Sequence, residues 1–291
     1  MKKSIPLIVN PASGKGDSFS TAKLVKDSLP NFEIKIIETH GLEDTARISA
    51  EIARGEPESL IVMGGDGTLN GVCQSFVGRT GTSILVVPTG TGSDFARSLG
   101  ISGASDAMRA ILGGRTVETD SVRCTGPSGT RVFLNIMEVG YGAMVMRRVN
   151  SVTRKGRHVF TRSALMEIPH LRTFSIELTG DFGTVRVKSP EVVIANGKYF
   201  GGGMKASPNS DPSDGILEIH VIREIGKFRL LTKLGKLVNG SYISDPVVMN
   251  METGRLSITG DPAPLEADGE HFGNVPVDLE VISRSFRFYR N

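Results

Sequence analysis

Three glycine clusters and two acidic turns hold the residues of this 291-residue chain whose types and spacing suit chemistry. MGGDGTLNG (63–71), PTGTGSDFARSLG (88–100) and NPASGKGD (10–17) each close an apolar run. Glycine lets backbone N–H groups approach phosphate oxygens, and the N-terminus of a following helix adds a favourable dipole. Asp66 contributes a carboxylate, and Thr68, Thr89, Thr91 and Ser93 contribute hydroxyls. A structural turn accounts for one such cluster; two on neighbouring strands favour a bound phosphate. NPASGKGD is not a Walker A loop, because Lys15 is followed by Gly16 and the spacing fails. No GxGxxG with a downstream acidic residue marks a dinucleotide fold.

The first acidic turn is LEADGEHFG (265–273), with Asp268 and Glu270 two residues apart. In extended chain, positions i and i+2 face the same way. Phosphoryl transfer to an alcohol needs a carboxylate to receive or position the hydroxyl, and Mg²⁺ to offset phosphate charge. By its own chemistry the pair is also an ordinary Asp-Gly turn. The second turn is SDPSDGILE (210–218), again either a plain turn or an oxygen-rich cation site without the full EF-hand pattern. His40, His158, His170, His220 and His271 show no metal-ligand spacing, although His271 adjoins Glu270. Cys73 and Cys124 are far apart and read as small buried apolar residues.

The elements that carry these turns differ along the chain. IPLIV (5–9), FEIKIIE (32–38), SLIVM (59–63) and TSILVVP (82–88) read as strands, with helical patterns over 21–29, 44–53 and from Leu69. Strands alternating with helices imply a parallel α/β sheet, whose ligands sit beyond the carboxyl ends of the strands. After about residue 115 short alternating runs take over: RVFLNIME, TFSIELTG, GTVRVKS, EVVIAN, GILEIHVI, RLSITG and VDLEVI. Their Gly, Pro, Asp and Asn boundaries imply an antiparallel sandwich or barrel. Helical patterns interrupt it around 143–168 and in KFRLLTKLGKLVNG (227–240), where Leu230, Leu231, Leu234, Leu237 and Val238 share a face suited to core packing.

The composition, 39% hydrophobic and 22% charged, is that of a soluble protein, and a net charge of +3 gives no ground for nucleic-acid binding. No run approaches the roughly 20 apolar residues of a membrane span. The apolar start is too short for a signal peptide, so a cytoplasmic location is expected. Charge concentrates in Arg147, Arg148, Arg154, Lys155, Arg157, Arg162 and Arg172, against only Glu167. Such a run is either a solvated helix face or a surface for anionic lipid headgroups.

VNPASGKG, GGDGTLN, PTGTGSDFAR, NGKYFGGGMKASPNSDPSDGILE and ADGE, in this order, resemble the diacylglycerol kinase catalytic-domain family of lipid kinases. The resemblance covers nearly the whole chain and rests on five motifs together. It implies an α/β nucleotide-binding domain (1–118, with 283–291 returning to it) and a β-sandwich lipid-substrate domain (119–282), the two-domain fold shared with NAD kinase. It further implies ATP on Asn10, Thr39, Gly64, Gly65, Asp66, Gly67, Thr68, Asn70, Thr89, Gly90 and Thr91. Asp66, Asp268 and Glu270 would be the catalytic carboxylates, with Glu270 favoured as the base. Asp214, with the carbonyls of Asp211 and Ile216, would form a structural Mg²⁺ site. Two positions depart from the family pattern near the nucleotide: Gly71 replaces a Glu and Ser93 an Asn. The implied activity is ATP-dependent phosphorylation of a membrane lipid, foremost diacylglycerol, by a protein held peripherally at the anionic inner membrane face. A sphingoid-base or ceramide kinase, and a nucleotide-regulated lipid-binding protein, are the alternatives; oligomeric state, a homodimer included, stays open.

Overall fold

The computed structural model describes residues 2–11, 18–90, 92–152, 157–224, 226, 236 and 239–291. The chain divides into two units, 1–120 with 283–291, and 121–282. Thr91, the residues Ser13 to Gly16 of the first glycine cluster, Arg154, Lys155 and the leucine face at 230–238 lie outside the described residues.

The first unit begins with β1 (Lys3–Val9), α1 (Ser18–Ser28), β2 (Phe32–Glu38), α2 (Leu42–Arg54), β3 (Ser59–Gly64), α3 (Asp66–Phe76) and β4 (Ser83–Pro88). Two further helices follow, α4 (Asp94–Ser98) and α5 (Ala104–Gly113). The strands pair in parallel in the order β2-β1-β3-β4. Leu7, Ile8 and Val9 of β1 and Leu60, Ile61, Val62 and Met63 of β3 are fully buried, as expected where helices cover both faces. The first crossover runs outward from β1 to β2, and the second passes back over β1 to β3. With right-handed crossovers this sends α1 to one face and α2 and α3 to the other, consistent with the contacts of α1 with α5 and of α2 with α3. The switch falls between β1 and β3, where open α/β sheets bind ligands at the strand carboxyl ends.

The second unit contains most of β5 (Thr116–Gly126), then β6 (Gly129–Phe133), β7 (Ile136–Gly140), α6 (Tyr141–Ser151) and α7 (Arg157–Glu167). There follow β8 (Phe174–Gly180), β9 (Gly183–Ser189), β10 (Glu191–Ala195), the two-residue strands β11 (Tyr199–Phe200) and β12 (Met204–Lys205), and β13 (Leu217–Ile222). The chain closes with β14 (Val248–Thr253), β15 (Arg255–Gly260), β16 (Pro264–Ala267), β17 (Glu270–Asn274) and β18 (Val277–Tyr289). One sheet has the order β14-β13-β10-β7-β16-β17, and β18, β15, β8 and β9 follow one another in a second. Met137, Val139, Val192, Ile194, Ile219 and Leu265 of the first sheet join Phe133, Ile176, Leu178, Leu256, Ile258 and Leu279 in a single apolar core. That is a β-sandwich.

RVFLNIME, a single run in the sequence, is two strands, β6 and β7, broken at Leu134 and Asn135. The break turns three consecutive amides, those of Leu134, Asn135 and Ile136, toward the carboxylate of Asp268. The end of β18 returns to the first unit and pairs in parallel with β4, Arg287 opposite Ser83 and Phe288 opposite Ile84.

Candidate active site

In the first unit the turns after β3 and β4 meet, with Asn10 at the end of β1 beside them. The amide of Asn10 donates to the Met63 carbonyl at 3.3 Å, and the amide of Thr89 donates to the Gly64 carbonyl at 3.1 Å. Gly64 must lack a side chain because a Cβ there would lie 2.6 Å from the Cβ of Thr68. The Thr68 hydroxyl in turn receives a hydrogen bond from the Asn10 carboxamide at 3.4 Å. Gly65 and Gly90 approach closely enough that a Cβ on Gly65 would be 3.6 Å from the Gly90 Cα. Thr39 is buried at the end of β2, its amide and hydroxyl both donating to the Val9 carbonyl. Asn70, one helical turn into α3, accepts from the Gln74 side chain at 2.8 Å.

Helix α3 starts at Asp66 with Gly65 as its N-cap, and no side chain caps it. The start of the helix, at the positive end of its dipole, favours an anion. The Thr89 hydroxyl is buried with no hydrogen-bond partner among the described residues, a group that a bound polar ligand would satisfy.

Asp66 does not point an open carboxylate at this turn. Its two oxygens accept the backbone N–H groups of Asp94 at 3.0 Å and Phe95 at 3.2 Å, capping α4. Burial raises its pKa, and hydrogen bonds from Asp94, Phe95 and Ser93 act the other way. Phe95 packs edge-on against Phe288 of the returning strand, ring centroids 4.8 Å apart. Strand β18 thereby holds α4, and α4 is tied to the GGDGT turn through Asp66. The return of 283–291 to this unit is the one that the family resemblance implied.

In the second unit Asp268 sits just beyond β16 with φ +48°, a left-handed conformation uncommon outside glycine. Its carboxylate accepts the amides of Leu134, Asn135 and Ile136 at 2.8, 2.9 and 3.2 Å. Its own amide donates to the Ile136 carbonyl at 2.9 Å. Glu270 opens β17 opposite Ala267, half-buried, and its side chain makes no hydrogen bond or ion pair with the described residues. Beside this turn lies a group invisible in the sequence reading: Glu138, Glu191 and Glu266 are all buried. Burial pushes Glu138 up to about 7 and holds Glu191 and Glu266 well above the usual carboxylate range. Acidic residues inside otherwise apolar runs (FLNIMEVG, PEVVIAN) were the signal available.

The 210–218 loop closes on itself. Ser213 bonds to the Asp211 carboxylate, the Asp214 amide to the Asp211 carbonyl at 3.3 Å, and the Ile216 amide to Asp214 Oδ1 at 2.9 Å. Ser207 and Ser210 both donate to Glu218, which anchors the loop to β13. Asp211, Asp214 and Ile216 are exposed, and their oxygens form a hard donor set suited to Mg²⁺. Of the basic run, Arg147, Arg162 and Arg172 are exposed, whereas Arg148 is ion-paired with buried Glu167.

Comparison with known proteins places these two units. The family profile described as "Diacylglycerol kinase catalytic domain" matches residues 4–124. The profile "YegS C-terminal NAD kinase beta sandwich-like domain" matches residues 135–289, more than half of the chain. The chain belongs to the diacylglycerol kinase catalytic-domain family of lipid kinases. Within that family it is 24% identical to a diacylglycerol kinase of Mycobacterium tuberculosis, over 98% of this chain and 94% of the relative. It is 27% identical to a Pseudomonas syringae protein named "Probable lipid kinase YegS-like", over 86% of this chain and 84% of the relative. The fold matches a crystal structure of a diacylglycerol kinase from Bacillus anthracis with a TM-score of 0.77 at 22% identity, covering 99% and 97% of the two chains. Family membership agrees with both halves of the architecture, the parallel α/β sheet and the sandwich.

Proposed function

We propose that this lipid kinase transfers the γ-phosphoryl group of ATP to the free hydroxyl of diacylglycerol, giving phosphatidic acid and ADP. The observation that carries the nucleotide half is the start of α3 at a glycine N-cap, beside the Thr89 hydroxyl, which is buried and has no partner among the described residues. Amides of Gly65, Asp66, Gly67 and Thr68 would hold the phosphates, with Asn10, Thr39, Gly64, Asn70, Thr89 and Gly90 shaping the turn and Thr91 contributing from the next loop. Asp66 serves by fixing the two turns against each other rather than by direct contact with the reacting atoms. Glu270 is the general base for the acceptor hydroxyl, being the carboxylate of the ADGE turn that no donor among the described residues engages. Asp268 spends its lone pairs on three amides and so orients that turn.

Mg²⁺ bound with ATP would offset the charge of the phosphoryl oxygens. A second ion would sit on Asp214 and the carbonyls of Asp211 and Ile216. The acceptor is a bilayer lipid, and no helix among the described residues is long and apolar enough to cross a membrane. We therefore assign access to a reversible contact of exposed Arg147, Arg162 and Arg172 with an anionic surface.

The test is transfer of label from [γ-³²P]ATP to a panel of diacylglycerol, sphingosine, ceramide and a prenol in mixed micelles. Labelled phosphatidic acid is expected, and lost in Gly64→Ala, where Thr68 must move. Label on another lipid alone would replace the acceptor; ATP binding without transfer to any lipid would favour a nucleotide-regulated binding protein.

A further inference from the structure

The turn that carries Asp268 and Glu270 is two left-handed residues long, Asp268 at φ +48° and Gly269 at φ +87°. A backbone held there needs support from outside itself. Both ends of the Gly269 residue receive it. The Gly269 amide donates to Glu266 Oε2 at 2.7 Å, and the Gly269 carbonyl accepts the Asn150 carboxamide at 2.7 Å. Asn150 lies in the last turn of α6, whose first turn is held by Glu191 through the Gly142 amide at 2.6 Å.

We propose that Glu266 and Asn150 are positioning residues of the phosphoryl-transfer site: together they clamp Gly269 and so set the direction in which Glu270 leaves the turn. The proposal rests on the reading of Glu270 as the base.

Glu266 can act this way because of what faces it. Across the ladder it stands opposite Glu138 of β7, and both are buried. Two carboxylates in such a place cannot both ionise. Burial, and then the charge of Glu138, holds the Glu266 carboxyl well above the usual carboxylate range, so Glu266 carries a proton beside Glu138. Its Oε2 accepts from the Gly269 amide. The remaining titratable groups nearby are Glu191 on β10, Asp268 beyond β16, His271 on β17, and Tyr141 and Tyr242, both of which sense the Glu138 charge. No cation is among the groups acting on Glu266. Loss of its proton would set two buried carboxylates against each other, loosening the clamp as pH rises.

A glutamine at 266 keeps an acceptor for the Gly269 amide in its side-chain carbonyl and has no proton to lose. Glu266→Gln should therefore retain kcat within about twofold and shift the alkaline fall of kcat to higher pH. Glu266→Leu, similar in volume, should lower kcat more than tenfold with the KM for ATP unchanged. Asn150→Ala, at an exposed position where folding is not at stake, should lower kcat about threefold to tenfold. The second readout is the amide resonance of Gly269 in ¹⁵N-labelled protein. In the wild type it should titrate with the midpoint of the kcat fall, and in Glu266→Gln it should be flat. A wild-type kcat in both Glu266→Leu and Asn150→Ala, or a Gly269 resonance indifferent to pH and to residue 266, overturns the proposal. If the resonance behaves as expected while Glu270→Ala keeps full activity, the clamp stands and the assignment of the base fails.

Discussion

The carboxylate of Asp66 accepts the backbone N–H of Asp94 at 3.0 Å and so joins two glycine turns that are 28 residues apart in sequence. With Phe95 as the second donor, this one side chain caps α4 and ties together the two glycine turns. Asp66→Ala should cost about 1 kcal/mol of stability as a lost cap and weaken ATP binding, while Asp66→Asn retains one acceptor and part of both. The pH dependence has a definite sign. Burial raises the Asp66 pKa, so the folded state holds this proton more tightly than the unfolded chain. The stabilisation is complete below the ordinary carboxylate pKa and is lost as pH rises through the raised value. Urea denaturation between pH 4 and 7 should show a shallower decline for Asp66→Asn than for wild type.

Gly71 departs from the family's Glu for a reason found in packing. A Cβ there would lie 3.3 Å from Thr45 Cγ2 of α2, and Thr45 is itself buried. Gly71→Glu should destabilise by about 1–3 kcal/mol through overpacking. Thr45→Ser removes only the methyl group and keeps the hydroxyl bond to the Gly41 carbonyl. The double variant should recover much of the loss, a coupling that thermal melts of the four proteins measure directly.

Ser93 sits at φ +50°, ψ +48°, the left-handed region that Asn tolerates better than Ser. Restoring the family's residue with Ser93→Asn should raise stability by about 0.5 kcal/mol, read as a small rise in melting temperature. A fall would mean that the Ser93 hydroxyl, which faces the Gly90 carbonyl at 3.5 Å, matters more than backbone strain.

Asp214 is bonded within its loop by the Ile216 amide, so alanine would disturb the turn whether or not an ion binds. Asp214→Asn keeps an acceptor and removes the charge. Mg²⁺ should raise the melting temperature of the wild type and leave that of Asp214→Asn unchanged, since an ion that prefers the folded state stabilises it by mass action. Equal responses would reduce the loop to a turn.

Arg147, Arg162 and Arg172 are exposed on or beside α6 and α7, near exposed Leu165 and Met166. Each cation near an anionic surface is worth about 1 kcal/mol, so changing all three to Gln should lower partitioning to anionic vesicles about a hundredfold. Sedimentation with neutral and anionic vesicles at low and high salt checks this. Binding indifferent to lipid charge and to the three substitutions would leave them a solvated face.

Local pattern settled a definite part of this protein. The runs at 5–9, 32–38, 59–63 and 82–88 are β1 to β4 within a residue or two; β1, β3 and β4 are apolar because they lie buried inside the sheet, whereas β2 at its edge is largely exposed. The alternation after residue 115 became the sandwich for the same kind of reason. Partners distant along the chain are another matter. Asp268 finds its three amides more than 130 residues away, and they are available only because RVFLNIME breaks at Leu134 and Asn135. Glu138 and Glu266 meet only through the register of β7 with β16. A carboxylate's type is written in the sequence, but its proton, its partners and the direction it faces depend on burial and on non-local backbone geometry. Those were decided by the tertiary structure.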